Sequence, residues 1–135
     1  MALMSQTIFL DQVNDPFFAD AWETTMIVEV RSYRIKPGHR EEFIKLFETR
    51  AVPALRSYGM KILGPMIDVE NPNKFVWLRS FPSLEERDRM KDAFYTSELW
   101  KNELEVIAMP LLDSYDVILC ETSTGYVCDG PHEGE

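Results

Sequence analysis

The feature that most limits the fold is a single change of hydrophobic period at Pro37-Gly38. Before it, residues 26–35 (MIVEVRSYRI) alternate, with Val28, Val30 and Ser32 on one side and Ile27, Glu29, Arg31, Tyr33 and Ile35 on the other. Period two is the signature of a strand. Proline fixes its own backbone angle and glycine accepts turn conformations, so the pair ends the strand. From His39 to Tyr58 the apolar residues recur at helical spacing: Phe43, Leu46, Phe47, Ala51, Ala54, Leu55 and Tyr58 make one stripe. Pro53 removes a backbone donor, which predicts a kink near the end of this helix. Gly59 stands where a left-handed stop is expected.

Residues 60–70 predict a second strand, bulged at Gly64-Pro65. Asn71-Pro72-Asn73 is a turn into a third strand at 74–81, and so short a connection makes an antiparallel hairpin. Ser83 with Glu86 three residues on is a capping box. It opens a polar helix whose inward residues are read as Leu84, Met90 and Phe94. A second helical stretch runs from Ser97 to Pro110, and residues 114–121 alternate as a last strand. The order strand, helix, hairpin, helix pair, strand predicts an α+β fold, a ferredoxin-like βαββαβ core with an antiparallel sheet. Helices cover one face of such a sheet. The face bearing Ile27, Tyr33, Trp77 and Phe81 is expected to be the bare one. It is too apolar for a monomer, so pairing with a second copy, as a homodimer or a higher oligomer, should bury it.

Charge excludes some functions. The net charge of −9 falls to −4 over residues 1–25, −4 over residues 121–135 and −1 over the middle. A near-neutral core with acidic ends carries no footprint for nucleic acid. No apolar run reaches the ~20 residues of a membrane span, and the N-terminus lacks the basic start of a secretory signal. Two cysteines, Cys120 and Cys128, and two histidines, His39 and His132, form no metal set and no disulfide framework. The expectations are a cytoplasmic protein, no metal and no cofactor.

From residue 26 onward the sequence resembles the NIPSNAP family of the dimeric α/β-barrel superfamily. The resemblance is carried by Glu29, Val30, Arg31 and Tyr33, by Lys36-Pro37-Gly38 and Glu42-Phe43, and by Tyr58-Gly59 with Lys61 and by Leu63-Gly64. It continues through Asn73, Leu84 to Arg87, Glu98 with Trp100, and Pro110-Leu111-Leu112, covering about residues 26–120. It implies a dimeric α/β barrel. The family has no settled activity; its eukaryotic members are linked to mitochondria and to vesicle or mitophagy interactions. The superfamily includes cofactor-free monooxygenases, isomerases and haem-degrading enzymes. Where the third strand of the family often carries His, Trp and Tyr at alternate positions, this chain has Trp77, Arg79 and Phe81. The resulting division is an N-terminal extension or arm (1–25), a NIPSNAP-like domain (26–121) and an acidic tail (122–135). Asp15-Pro16 reads as a helix start, with Phe18 and Trp22 one turn apart, so the arm could dock aromatics on a dimer; equally, it could stem from an upstream start codon.

The candidate site is the strand face carrying Glu29, Arg31 and Tyr33, joined by Trp77 and Arg79 from the third strand and read as facing the inter-sheet space. Buried charges need partners, so Glu29 and Arg31 are either a structural ion pair or part of a ligand pocket. As a pocket, the set suits an anionic or aromatic small molecule: Arg offers a planar pair of donors and Trp a stacking wall. Tyr33 could donate to an oxyanion, and Glu29 could act as a base if burial raises its pKa. No nucleophile triad or phosphate loop is present, and the catalytic residues are unknown. His39 reads as a solvated helix-entry residue, Cys120 as core, and Met66, Met109 and Tyr115 as packing. Three readings follow: a ligand-binding dimer, a cofactor-independent monooxygenase or isomerase, and an interaction adaptor.

Overall fold

The computed structural model describes residues 25–127. Met26–Glu121 is one compact unit. Residues 25 and 122–127 lie outside it; among them the Tyr126 N–H donates to the Ser123 carbonyl at 3.0 Å. Cys128, His132, Asp15-Pro16, Phe18 and Trp22 lie outside the described residues.

Four strands, β1 (Ile27–Ile35), β2 (Lys61–Ile67), β3 (Lys74–Phe81) and β4 (Leu112–Glu121), form one antiparallel sheet in the order β2-β3-β1-β4. Helix α1 spans residues 40–57, α2 is Leu84–Tyr95, and α3 spans residues 100–108 before a 3-10 turn at Met109–Leu111. This is the ferredoxin-like βαββαβ topology that the periodicity predicts. Among the described residues no helix is long and apolar enough to cross a membrane.

Local chemistry explains each boundary. At the start of α2 the Ser83 Oγ accepts from the Glu86 N–H at 3.1 Å, half of the capping box. The other half is not made, because the Glu86 carboxylate pairs with Arg89 instead. In α1, Pro53 follows a local change of helical winding. A π-turn at Phe47–Ala51 precedes it and leaves Pro53 in the first turn of Val52–Ser57, where a missing donor costs little. Arg40, at the start of α1, donates through Nη1 to the carbonyls of Asp68, Asn71 and Lys74 at 2.9–3.1 Å. One guanidinium thereby satisfies the turn between β2 and β3 and ties it to the helix layer.

The sheet has two unlike faces. Ile27, Glu29, Arg31, Phe75, Trp77, Arg79 and Phe81 are buried beneath the helices with Phe43, Phe47, Leu55, Met90, Phe94 and Leu104. On the opposite face, Val28, Val30, Val76 and Leu78 are half-buried while Leu63, Met66 and Ile118 are exposed. The expectation that Ile27, Tyr33, Trp77 and Phe81 form the bare side is therefore inverted. Period two separates the faces without saying which one the helices cover; here the helices take the long and aromatic side chains and leave the short aliphatic ones.

Other inward readings also fail. Leu84 is exposed, since six residues separate it from Met90 and place it about 120° away around the helix. Met66 is exposed rather than packed, and Cys120 is half-exposed on the aliphatic face rather than core. Tyr115 and Met109 do pack, though each is part-exposed: the Tyr115 ring lies 5.6 Å from that of Tyr33, and Met109 lines a cavity under the helices.

The bulge expected at Gly64-Pro65 is present: the β2–β3 register shifts between Leu63 and Met66. Gly64 has φ +115°, and a Cβ there would sit 3.0 Å from the Trp77 Cβ, 3.1 Å from its Cα and 3.2 Å from the Val76 carbonyl. Neither the conformation nor the space admits a side chain. Gly64→Ala should lower stability by roughly 2–4 kcal/mol, seen as a lower denaturant midpoint at unchanged slope. An unchanged midpoint would show that the bulge is not held as described.

Candidate functional site

Glu29 sits at the middle of β1, fully buried, opposite Arg79 of β3. Arg79 donates through Nε to Glu29 Oε1 at 2.7 Å, and the Arg31 Nη1 donates to the same oxygen. The other oxygen, Oε2, accepts from the Nε of Arg87 on α2 at 2.6 Å. One carboxylate thus binds two strands and a helix. Arg87 also reaches Asp88 at the surface, 3.2 Å away. The fully buried part, Arg31 and Arg79 against Glu29, keeps one positive charge in excess. Aromatic faces shield that charge: the Arg31 guanidinium lies 5.4 Å from the Trp77 ring centre and the Arg79 guanidinium 5.7 Å from it, on distances typical of cation–π contact.

Burial pushes the Glu29 carboxyl up. The Arg79 charge and hydrogen bond, the Arg87 hydrogen bond and the Arg31 charge outweigh it, so the pKa falls from 4.5 to about 2. A carboxylate held this firmly is no general base, which corrects the role foreseen for Glu29. Tyr33 moves the other way: burial raises its pKa, with the Arg31 charge opposing, so its hydroxyl keeps its proton. That hydroxyl accepts from the Arg31 Nε at 3.3 Å, and the Tyr95 hydroxyl accepts from the Arg79 Nη1 at 3.2 Å.

Beside this network lies a cavity of about 70 Å³, partly open to solvent, between the sheet and the helices. Its walls are almost wholly apolar and aromatic, including Tyr33, Phe43, Trp77, Tyr95 and Trp100. The ends of both π-turns, Phe47 and Ala51 in α1 and Trp100 and Leu104 in α3, face it as well. π-Turns recur at functional sites because the extra residue re-aims the side chains beside it. Among the described residues one buried side-chain polar atom has no hydrogen-bond partner, the Nε1–H of Trp77.

Of the five residues read as the site, the structure gathers all on one sheet face, but beneath the helices rather than between sheets. Tyr33 and Trp77 line the cavity; Glu29, Arg31 and Arg79 stand behind it. The sequence reading omitted Arg87, Tyr95 and Trp100. Arg87 had a visible signal, since it precedes Met90 and Phe94 at helical spacing and so belongs to the inward stripe of α2. Trp100 stood out only as part of the family resemblance, with Glu98, and Tyr95 carried no signal apart from its size. His39 is solvated and meets Glu42 at 2.9 Å, and no metal-binding group occurs among the described residues.

The depressed carboxyl makes stability depend on pH. The contribution is fully present above the unfolded value near 4.5 and is lost as pH falls toward 2. Glu29→Gln should remove that acid-limb dependence and cost about 3–5 kcal/mol at neutral pH, because Arg31 and Arg79 stay buried without a counter-charge. Urea unfolding of both proteins between pH 2 and 7 checks it; parallel pH profiles would refute the network's role.

The NIPSNAP family model matches residues 28–114. No curated protein matches the sequence. Among solved structures, an uncharacterised NIPSNAP-like domain protein from Burkholderia xenovorans is 24% identical with a TM-score of 0.68, covering 78% of this chain and 92% of its own. A NIPSNAP family protein from Agrobacterium tumefaciens is 20% identical with a TM-score of 0.67, covering 75% and 89%. A protein named as a candidate antibiotic biosynthesis monooxygenase from Nitrosomonas europaea shares the fold at 14% identity and a TM-score of 0.54, covering 70% and 88%. The family match spans well over half of the sequence, and the sheet order and helix placement are those of the same fold: this chain belongs to the NIPSNAP family.

Proposed function

We propose that the protein works as a homodimer in which each protomer holds a small anionic or aromatic molecule in the cavity between its sheet and its helices. The observation that carries the ligand is an aromatic cavity backed by a buried cluster with positive charge in excess. Such a cluster is costly in a site with no further work to do, since an apolar replacement of similar volume is commonly neutral or stabilising. The cavity is far smaller than the ~300–1,000 Å³ of drug-sized sites, which restricts the ligand to about one ring.

Dimerisation rests on the other face of the sheet. Val30, Leu78, Leu63, Met66 and Ile118 form a continuous aliphatic area with no helix over it among the described residues. Sheets pack face to face about 10 Å apart when short aliphatic side chains interdigitate, and this face is built of such residues. The dimer contact and the cavity therefore use opposite sides of the sheet.

Leu78→Asp should turn the dimer into a monomer in sedimentation velocity while leaving the cavity residues in place. A wild-type protein that sediments as a monomer at high concentration would sink the dimer. Calorimetric titration with toluene, phenol and benzoate tests the cavity: saturable binding of at least one is expected, and binding of none overturns the ligand reading.

A further inference from the structure

Building on that ligand reading, we infer that the cavity selects a small planar carboxylate, whose oxygens are received by the Trp77 indole N–H and the hydroxyls of Tyr33 and Tyr95. Three independent features converge. First, Trp77 is 97% shielded, with only 3% of its surface exposed, yet its Nε1–H has no acceptor in the fold. A donor taken out of water without a partner costs about 1–3 kcal/mol, which a ligand oxygen that displaced the atoms now covering it would recover.

Second, the two tyrosine oxygens are already acceptors, from Arg31 at 3.3 Å and from Arg79 at 3.2 Å. A hydroxyl whose oxygen accepts from a cation is polarised, and its own hydrogen becomes a better donor. Among the described residues no acceptor for either hydroxyl hydrogen is found, and both rings stand in the cavity wall. The side chains of the wall therefore offer hydroxyl and indole donors and include no carboxylate. A ligand group with several lone pairs and no proton fits; an amine or an amidinium does not.

Third, the sign of the charge agrees with the donors. Arg31 and Arg79 stand one hydrogen bond behind the tyrosines and exceed Glu29 by one unit of charge. An anion in the cavity would complete the balance, so the carboxylate loses less on leaving water than it would in an uncharged apolar site. A single oxygen could engage only part of this set, whereas the two oxygens of a carboxylate offer about four acceptor positions. The remaining walls are flat rings, which suits a planar body.

Benzoate and nitrobenzene separate this inference from the broader one, because they share size and shape and differ in charge. Calorimetric titration at neutral pH should show benzoate binding at least tenfold more tightly than nitrobenzene, with benzamidine giving no heat. Trp77→Phe keeps a ring in the wall and removes the N–H; it should weaken benzoate by about tenfold and leave nitrobenzene within twofold. Tyr95→Phe, at a half-buried position, should weaken benzoate in the same direction while the protein keeps its unfolding midpoint within a few degrees. If nitrobenzene binds as well as benzoate, or if Trp77→Phe weakens both alike, the carboxylate inference is overturned while the ligand reading stands. If neither binds, the carboxylate inference falls, and the ligand reading falls with it when toluene and phenol fail to bind as well.

Discussion

One carboxylate organises this protein. Glu29 is buried on β1, and its two oxygens take up Arg31 and Arg79 on one side and Arg87 on the other. Because the carboxylate cannot be left alone in an apolar layer, β3 and α2 each bring it a guanidinium. This requirement fixes the β1–β3 register at Glu29 opposite Arg79, and it fixes the rotation of α2, which must turn Arg87 inward alongside Met90 and Phe94. A hydrophobic core tolerates sliding by small amounts; a charge bridged at 2.6–2.7 Å does not. The network contributes specificity of arrangement more than net stability, in keeping with the high desolvation cost of buried ions.

The same network separates the two faces of the sheet. Long side chains with polar ends need depth, which a helix layer provides by leaving space between its ridges. Glu29, Arg31, Arg79 and the aromatic rings all lie on that side. Val28, Val30, Val76 and Leu78 lie on the other, where short branched side chains allow another sheet to come close. The buried charges and the aliphatic face are thus kept apart by the thickness of one sheet. A change on the aliphatic face leaves the cavity walls untouched, and the converse holds equally.

Much of this was legible in the residues. The period change at Pro37-Gly38, the Gly64-Pro65 interruption and the Ser83 cap place the strands and helices, because each depends on backbone chemistry within a few residues. The five site residues were also legible as a group, since alternation puts Glu29, Arg31 and Tyr33 on one side of β1. What alternation cannot say is which side meets the helices. The bulky aromatics suggested a surface in need of a partner; tertiary packing gave them to the helices. The π-turns at Phe47–Ala51 and Trp100–Leu104 left no local mark, because they answer to packing around the cavity rather than to any residue's own preference. Only Arg87 was available and overlooked, a charged residue in an otherwise apolar helical stripe.

The arginines' place behind the tyrosines, rather than in the wall, has its own physical logic. A guanidinium lining a partly open cavity would keep its water and would hold any passing anion in many orientations. Behind Tyr33 and Tyr95 it is dry, with donors engaged by Glu29 and by the hydroxyl oxygens, so its charge stands one hydrogen bond behind two cavity-wall phenols. The field is then directional, and little has to reorganise when it acts. Such an arrangement needs the aromatic rings to hold the guanidiniums as well as to line the cavity, which is why Trp77 serves both, with Arg31 and Arg79 against its ring and its N–H left without a partner.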